Sequence, residues 1–144
     1  MKHKNVNYIS SHKLYRIKKK YINISHNDIR NGNIITFTYE SSSSNKNPHV
    51  FVLNKKYLNL LHGLVIDYMS LREFDKLISY IFKVDTSKNN INIIEILNKK
   101  SPSEVKLLYE TKLKHFLKNN IKQSVYRTYK INKLNNIKLV DYII

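Results

Sequence analysis

The chain of 144 residues carries 26 lysines and arginines against 10 acids, a formal charge of +16, while 42% of its residues are hydrophobic. It has the length of one domain and is too apolar to be only a disordered basic tail. The absence of cysteine excludes disulfides and thiolate metal sites and suits a reducing compartment.

So large a positive charge exceeds what solubility requires and predicts a polyanionic partner: nucleic acid, an acidic protein surface or an anionic membrane face. Lys, Asn and Ile dominate, and their A/T-rich codons account for part of the bias. That bias supplies asparagine as readily as lysine and leaves the scarcity of acids unexplained. No apolar run reaches the ~18 residues of a membrane-spanning helix, so no membrane insertion is expected. The start, MKHKNVNYISSHKLY, lacks the apolar centre of a signal peptide.

Seven basic residues and no acid precede Asp28. Residues 1–13 read as a basic arm, either solvated or laid along a polyanion. Within the run, KLYRI and KYINI alternate well enough for short strands. Asn31-Gly32 marks a turn before a strand over Asn33–Tyr39, rich in β-branched and aromatic residues. Glu40–Pro48 is an exposed loop, His49–Leu53 a second strand, Asn54–Asn59 a connection, and Leu61–Met69 a third strand bent at Gly63. Three or four antiparallel strands therefore fall between residues 14 and 69. A small curved antiparallel sheet, or an SH3-like partly open barrel, closes so few strands.

The period then changes. Ser70 and Glu73 form a capping box ahead of a helix with Phe74, Leu77, Ile78 and Ile81 on one face. Asn90–Leu97 reads as helix or strand. Ser101, Pro102 and Glu104 open a second capped helix whose stripe is Val105, Leu108, Tyr109, Leu113, Phe116 and Leu117. From Lys112 to Lys138 eight basic residues again occur without an acid. This final basic segment, 124–144, reads as a strand or extended tail after an α+β domain over 14–123. Its terminal VDYII is apolar enough to dock on the body or on a neighbouring subunit.

Catalytic and metal motifs are missing from the sequence. None of the six histidines stands at metal-ligand spacing from another, and no HExxH, phosphate-binding glycine loop or nucleophile elbow occurs. His62 and Asp67, five apart, face opposite sides of a regular strand and form an acid–base pair only if a bulge at Gly63 alters the parity. The acids are too scattered for a two-metal nuclease. A non-enzyme without cofactor is therefore expected.

In SVYRTYK, Tyr126, Thr128 and Lys130 share one face of a strand, and Val125, Arg127 and Tyr129 the other. Cations there suit phosphates, and a tyrosine suits an unpaired base, although half-buried structural strands carry the same mixture. KLYRIKKKY is the densest positive cluster. The candidate nucleic-acid contacts are accordingly Lys13, Arg16, Lys18, Lys19, Lys20, Lys122, Arg127, Lys130 and Lys133.

Three stretches (Gly32–Tyr39, Pro48–Leu53 and Leu61–Met69) together resemble small proteins of tailed bacteriophages described as DNA-end protectors or virion-associated packaging proteins. Those proteins have a glycine-introduced strand ending in an aromatic, a Pro-led apolar strand and a Gly-Leu-x-Leu-x-Tyr-Leu-like strand before a helix. Tyr126–Lys130 looks like their basic C-terminal stretch. The resemblance implies a virion-associated or DNA-binding protein, found in the virion or the host cytoplasm, with Gly32, Pro48, Gly63 and Tyr68 as scaffold positions. The alternative is a structural assembly or connector protein whose lysines meet acidic surfaces of larger virion subunits without touching nucleic acid.

Overall fold

The computed structural model describes residues 18–39, 47–56, 59–82, 93–99, 101, 103–104 and 113–143. The expected arm over 1–13, and with it Lys13, lies outside them, as does Arg16. The described elements run β1 (Lys18–Asn23), β2 (Ile34–Tyr39), β3 (His49–Lys56), β4 (Leu60–Val65), α1 (Leu71–Phe82), α2 (Ile93–Asn98), α3 (Leu113–Asn120), β5 (Tyr126–Lys130) and β6 (Leu134–Ile143). This is an α+β domain. Its six strands form one antiparallel, unclosed sheet in the order β1-β6-β2-β3-β4-β5.

Four of these strands fall between residues 14 and 69. The other two come from the segment read as a strand or tail. That segment is not appended to the sheet, because β6 lies between β1 and β2, with Lys20 opposite Asp141 and Ile35 opposite Leu139. The third strand of the sequence reading ends at Val65, where Ile66–Tyr68 tightens into a 3-10 turn. The Asn54–Asn59 connection is shorter than expected, since β3 runs on to Lys56.

The central strands are buried on both faces, which is why their sequences read as continuous apolar runs. Ile34, Phe51 and Leu64 point to the helices, where they meet Phe74, Leu77, Ile78 and Ile81 of α1 and Leu113 and Leu117 of α3. Their neighbours Ile35, Phe37, Val50, Val52, Leu61 and Val65 point the other way and form a second core with Ile131, Leu134 and Ile137. Phe37 of β2 and Tyr129 of β5 meet edge to face at 5.0 Å although two strands separate them in the sheet, so the sheet is strongly curled.

Two bulges shape the curl. Val52 pairs with Gly63 and Asn54 with His62, which leaves Leu53 as the extra residue in β3. Gly63 lies opposite this irregularity. A Cβ built on it collides with Val50 Cγ1 and comes within 2.9 Å of the Phe51 carbonyl oxygen, so the close approach of β3 is what requires glycine. In β6, Thr36 pairs with Lys138 but Thr38 with Asn135, and Asn136 takes a φ of 53°. This extra residue brings Leu134 and Ile137, three apart, into the same core.

The helix starts follow their capping chemistry. Ser70 N–H donates to Glu73 Oε1 (3.0 Å) and Glu73 N–H to Ser70 Oγ (3.1 Å). Ser101 and Glu104 repeat the exchange at 3.0 and 3.2 Å. The segment that admitted helix or strand is helical over Ile93–Asn98. Its Ile94 N–H donates to the buried carboxylate of Asp141 on β6 at 3.3 Å. Tyr80 of α1 stacks on Phe116 of α3 with centroids 4.2 Å apart. Val105, Leu108 and Tyr109 of the expected stripe lie outside the described residues.

Candidate nucleic-acid interface

The basic positions divide between the two edges of the sheet. Lys18, Lys19 and Lys20 lie on β1, one outermost strand, and Arg127 and Lys130 on β5, the other. Lys122 precedes β5 at its turn, and Lys133 ends the 3-10 turn Ile131–Lys133 between β5 and β6. The sequence candidates therefore form two sites. Cations on exposed edge strands also serve a plain structural purpose, since they discourage sheet-to-sheet association.

The β5 site is built by three anchors. Glu73, buried at the start of α1, uses its second carboxylate oxygen to accept the Lys122 N–H at 3.1 Å, which fixes the approach to β5. Arg127 then folds its guanidinium back: Nη1 donates to the carbonyls of Ser124 (2.7 Å) and Tyr126 (2.6 Å). The same guanidinium lies 5.1 Å from the ring centroid of Tyr68, which is 42% exposed. At the far end of β5 the Lys130 N–H donates to the Tyr39 hydroxyl at 3.0 Å.

The strand alternates as its sequence implies. Thr128 Oγ1 meets His62 Nδ1 at 3.0 Å on one side, and Tyr129 enters the second core on the other. Tyr129 packs edge to face on Phe37 and Tyr39. Burial first, then the neighbouring Tyr68, Asp67 and Tyr39, pushes its phenol up to about 12, against a smaller lowering by Arg127. Burial also raises Tyr126. Both phenols are neutral hydrogen-bonding groups at physiological pH.

Among the described residues, no acid lies within ion-pair distance of Lys20, Lys122, Arg127, Lys130 or Lys133. No described acid neutralises their charge. Lys138, exposed on β6, belongs with them and was not singled out from the sequence. Tyr68 was named only as scaffold, and its place under Arg127 carries no sequence signal because 59 residues separate the two.

His62 and Asp67 are not brought together. His62 meets Thr128, while Asp67 accepts the His49 main-chain N–H at 2.9 Å and lies 3.5 Å from His49 Nδ1. His49 Nε2 in turn meets the Tyr21 hydroxyl at 3.2 Å. This chain ties β1 to β3 across β6 and β2. No group of three or more metal-ligating side chains occurs among the described residues, and no helix among them is long and apolar enough to cross a membrane.

Comparison with protein families, with curated proteins and with solved structures gave no match to this chain.

Proposed function

We propose that this protein is a non-catalytic nucleic-acid-associated protein of the virion type, which holds the phosphate backbone through side-chain cations without reading base sequence. The observation that carries this reading is the set Lys122, Arg127, Lys130 and Lys133, on the edge strand β5 and in the turns that flank it, with no described acid in ion-pair reach. It lies in a run of eight basic residues from Lys112 to Lys138 that contains no acid. Arg127 is held by two carbonyls and a tyrosine ring, so little side-chain freedom remains to be lost when a phosphate binds.

The scaffold is read as a partly open SH3-like barrel. Supporting this, β5 and β6 are successive pieces of chain parted only by a 3-10 turn, and the curl brings Tyr39 of β2 onto β5. The protein would work in the virion or the host cytoplasm, as part of a larger viral assembly.

The test is a titration of random-sequence duplex DNA at increasing salt. Log affinity falls linearly with log salt, by about 0.9 per phosphate neutralised. Arg127→Glu with Lys130→Glu weakens binding to all sequences alike and lowers the slope by about two. No binding at about 50 mM salt overturns the reading, since electrostatic attraction is strong there.

The second reading, a connector docking on acidic surfaces of larger virion subunits, is favoured by the exposed cations equally. It predicts that the same double variant leaves DNA affinity unchanged and abolishes incorporation into a protein ring or shell.

A further inference from the structure

The two edges of the sheet differ in their main chains. In an antiparallel strand, alternate residues direct both N–H and C=O to the same side. On β5 the groups of Tyr126, Thr128 and Lys130 turn away from β4, and at Tyr126 and Lys130, the two ends of the strand, the protein itself engages them. Tyr126 N–H donates to Gln123 O, Tyr126 O accepts the Arg127 guanidinium, and Lys130 N–H donates to the Tyr39 hydroxyl. A strand cannot be added there without displacing three bonds.

On β1 the outward side is different. Ile24 N–H donates to Ile137 O at 3.1 Å, so Ile24, Ile22 and Lys20 face β6, and Tyr21 and Asn23 turn their main-chain groups outward. Among the described residues no hydrogen bond meets those groups. Beside them stand the exposed Lys19 and Lys20 and two half-exposed apolar side chains, Tyr21 and Ile22, each 49% accessible.

We infer that the β1 edge is a strand-addition site for an acidic, extended segment of a partner protein. Charge selects the occupant. A second copy would bring the Lys18–Lys20 runs of two strands onto one edge with no acid in either strand, opposite one another if parallel and close by if antiparallel, and the duplex backbone offers no N–H donors to the outward carbonyls of Tyr21 and Asn23. An acidic strand supplies both the main-chain ladder and the opposite charge. Side chains alternate across β1, with Lys19 and Tyr21 on one face and Lys20 and Ile22 on the other. An antiparallel occupant therefore presents two adjacent apolar residues followed by two adjacent acids. This surface is separate from the β5 cations and does not rest on their binding nucleic acid.

The probe is an end-capped Thr-Val-Val-Glu-Glu-Thr peptide titrated into the full chain, followed by amide shifts and hydrogen exchange. Binding should protect the Tyr21 and Asn23 amides and leave those of β5 unchanged. N-methylation of the peptide at alternate residues should weaken it about tenfold or more, since main-chain bonds carry the affinity. Tyr21→Pro removes the outward N–H but not the ladder to β6, and should lose the peptide, whereas Tyr21→Val keeps it. The inference is overturned if the N-methylated peptide binds equally well, if shifts fall on β5, or if duplex DNA protects the same two amides. It is equally overturned if those amides are already protected in the free chain, which would mean its own residues occupy the edge.

Discussion

The Tyr39 hydroxyl accepts the main-chain N–H of Lys130 at 3.0 Å, joining β2 to β5 across the open side of a sheet in which they are not neighbours. The curl is thus held by a side chain where a closed barrel would use a strand ladder.

Replacing Tyr39 by Phe keeps the ring contacts to Phe37 and Tyr129 and removes only the acceptor. A loss of about 0.5–1.5 kcal/mol is expected, with faster hydrogen exchange at the Lys130 amide. An unchanged exchange rate at Lys130 would show that the closure is held elsewhere.

Gly63→Ala places a methyl group against Val50 Cγ1 and the Phe51 carbonyl. Val50 has room to shift only by disturbing the second core, and the carbonyl is fixed by the β3 ladder. Strand propensity favours alanine over glycine, but overpacking costs about 1–3 kcal/mol and reverses the sign. Denaturant melts measure it, and a variant as stable as the parent contradicts the close approach.

Glu73 serves two elements at once, the cap of α1 and the Lys122 N–H before β5. Ser70→Ala removes one half of the capping box, for about 1 kcal/mol. Glu73→Ala should cost distinctly more, because a second N–H loses its partner. Equal melting shifts for the two variants would separate Glu73 from the β5 approach.

Tyr129 gives the fold an alkaline limit. Its phenol is raised in the folded protein to about 12 from an ordinary value of 10.0, chiefly by burial. The folded state therefore holds its proton more tightly than the unfolded chain. This contribution is complete below pH 10 and is lost as pH rises from there through about 12. Tyr129→Phe should flatten that decline in a pH series of melts, leaving the smaller part due to Tyr126. An identical alkaline slope in the variant would refute the assignment.

The four strands before α1 and the helix caps were legible because their signals are local. A turn at Asn31-Gly32, β-branched runs, and Ser and Glu three apart each act within a few residues. The two strands at the basic end were harder to place. The bulge at Asn136 breaks the two-residue period, so Leu134, Ile137 and Leu139 do not alternate as a regular strand would, and lysine and asparagine at the exposed positions mimic a tail. The candidate site was legible as charge and not as geometry. That Lys20 and Arg127 sit on opposite edges follows from the insertion of β6 between β1 and β2, a pairing with no local signature.

That insertion also governs how the chain acquires its shape. Lys18 meets Ile143 and Asn23 meets Lys138, so the partner that β1 has among the described residues is not made until residues near position 140 have been synthesised. An early, lysine-rich strand thus pairs with the last strand of the chain. Such long-range pairing makes for slow completion of the sheet. The charge on β1 then protects the nascent chain from pairing with its neighbours on the same messenger during that interval.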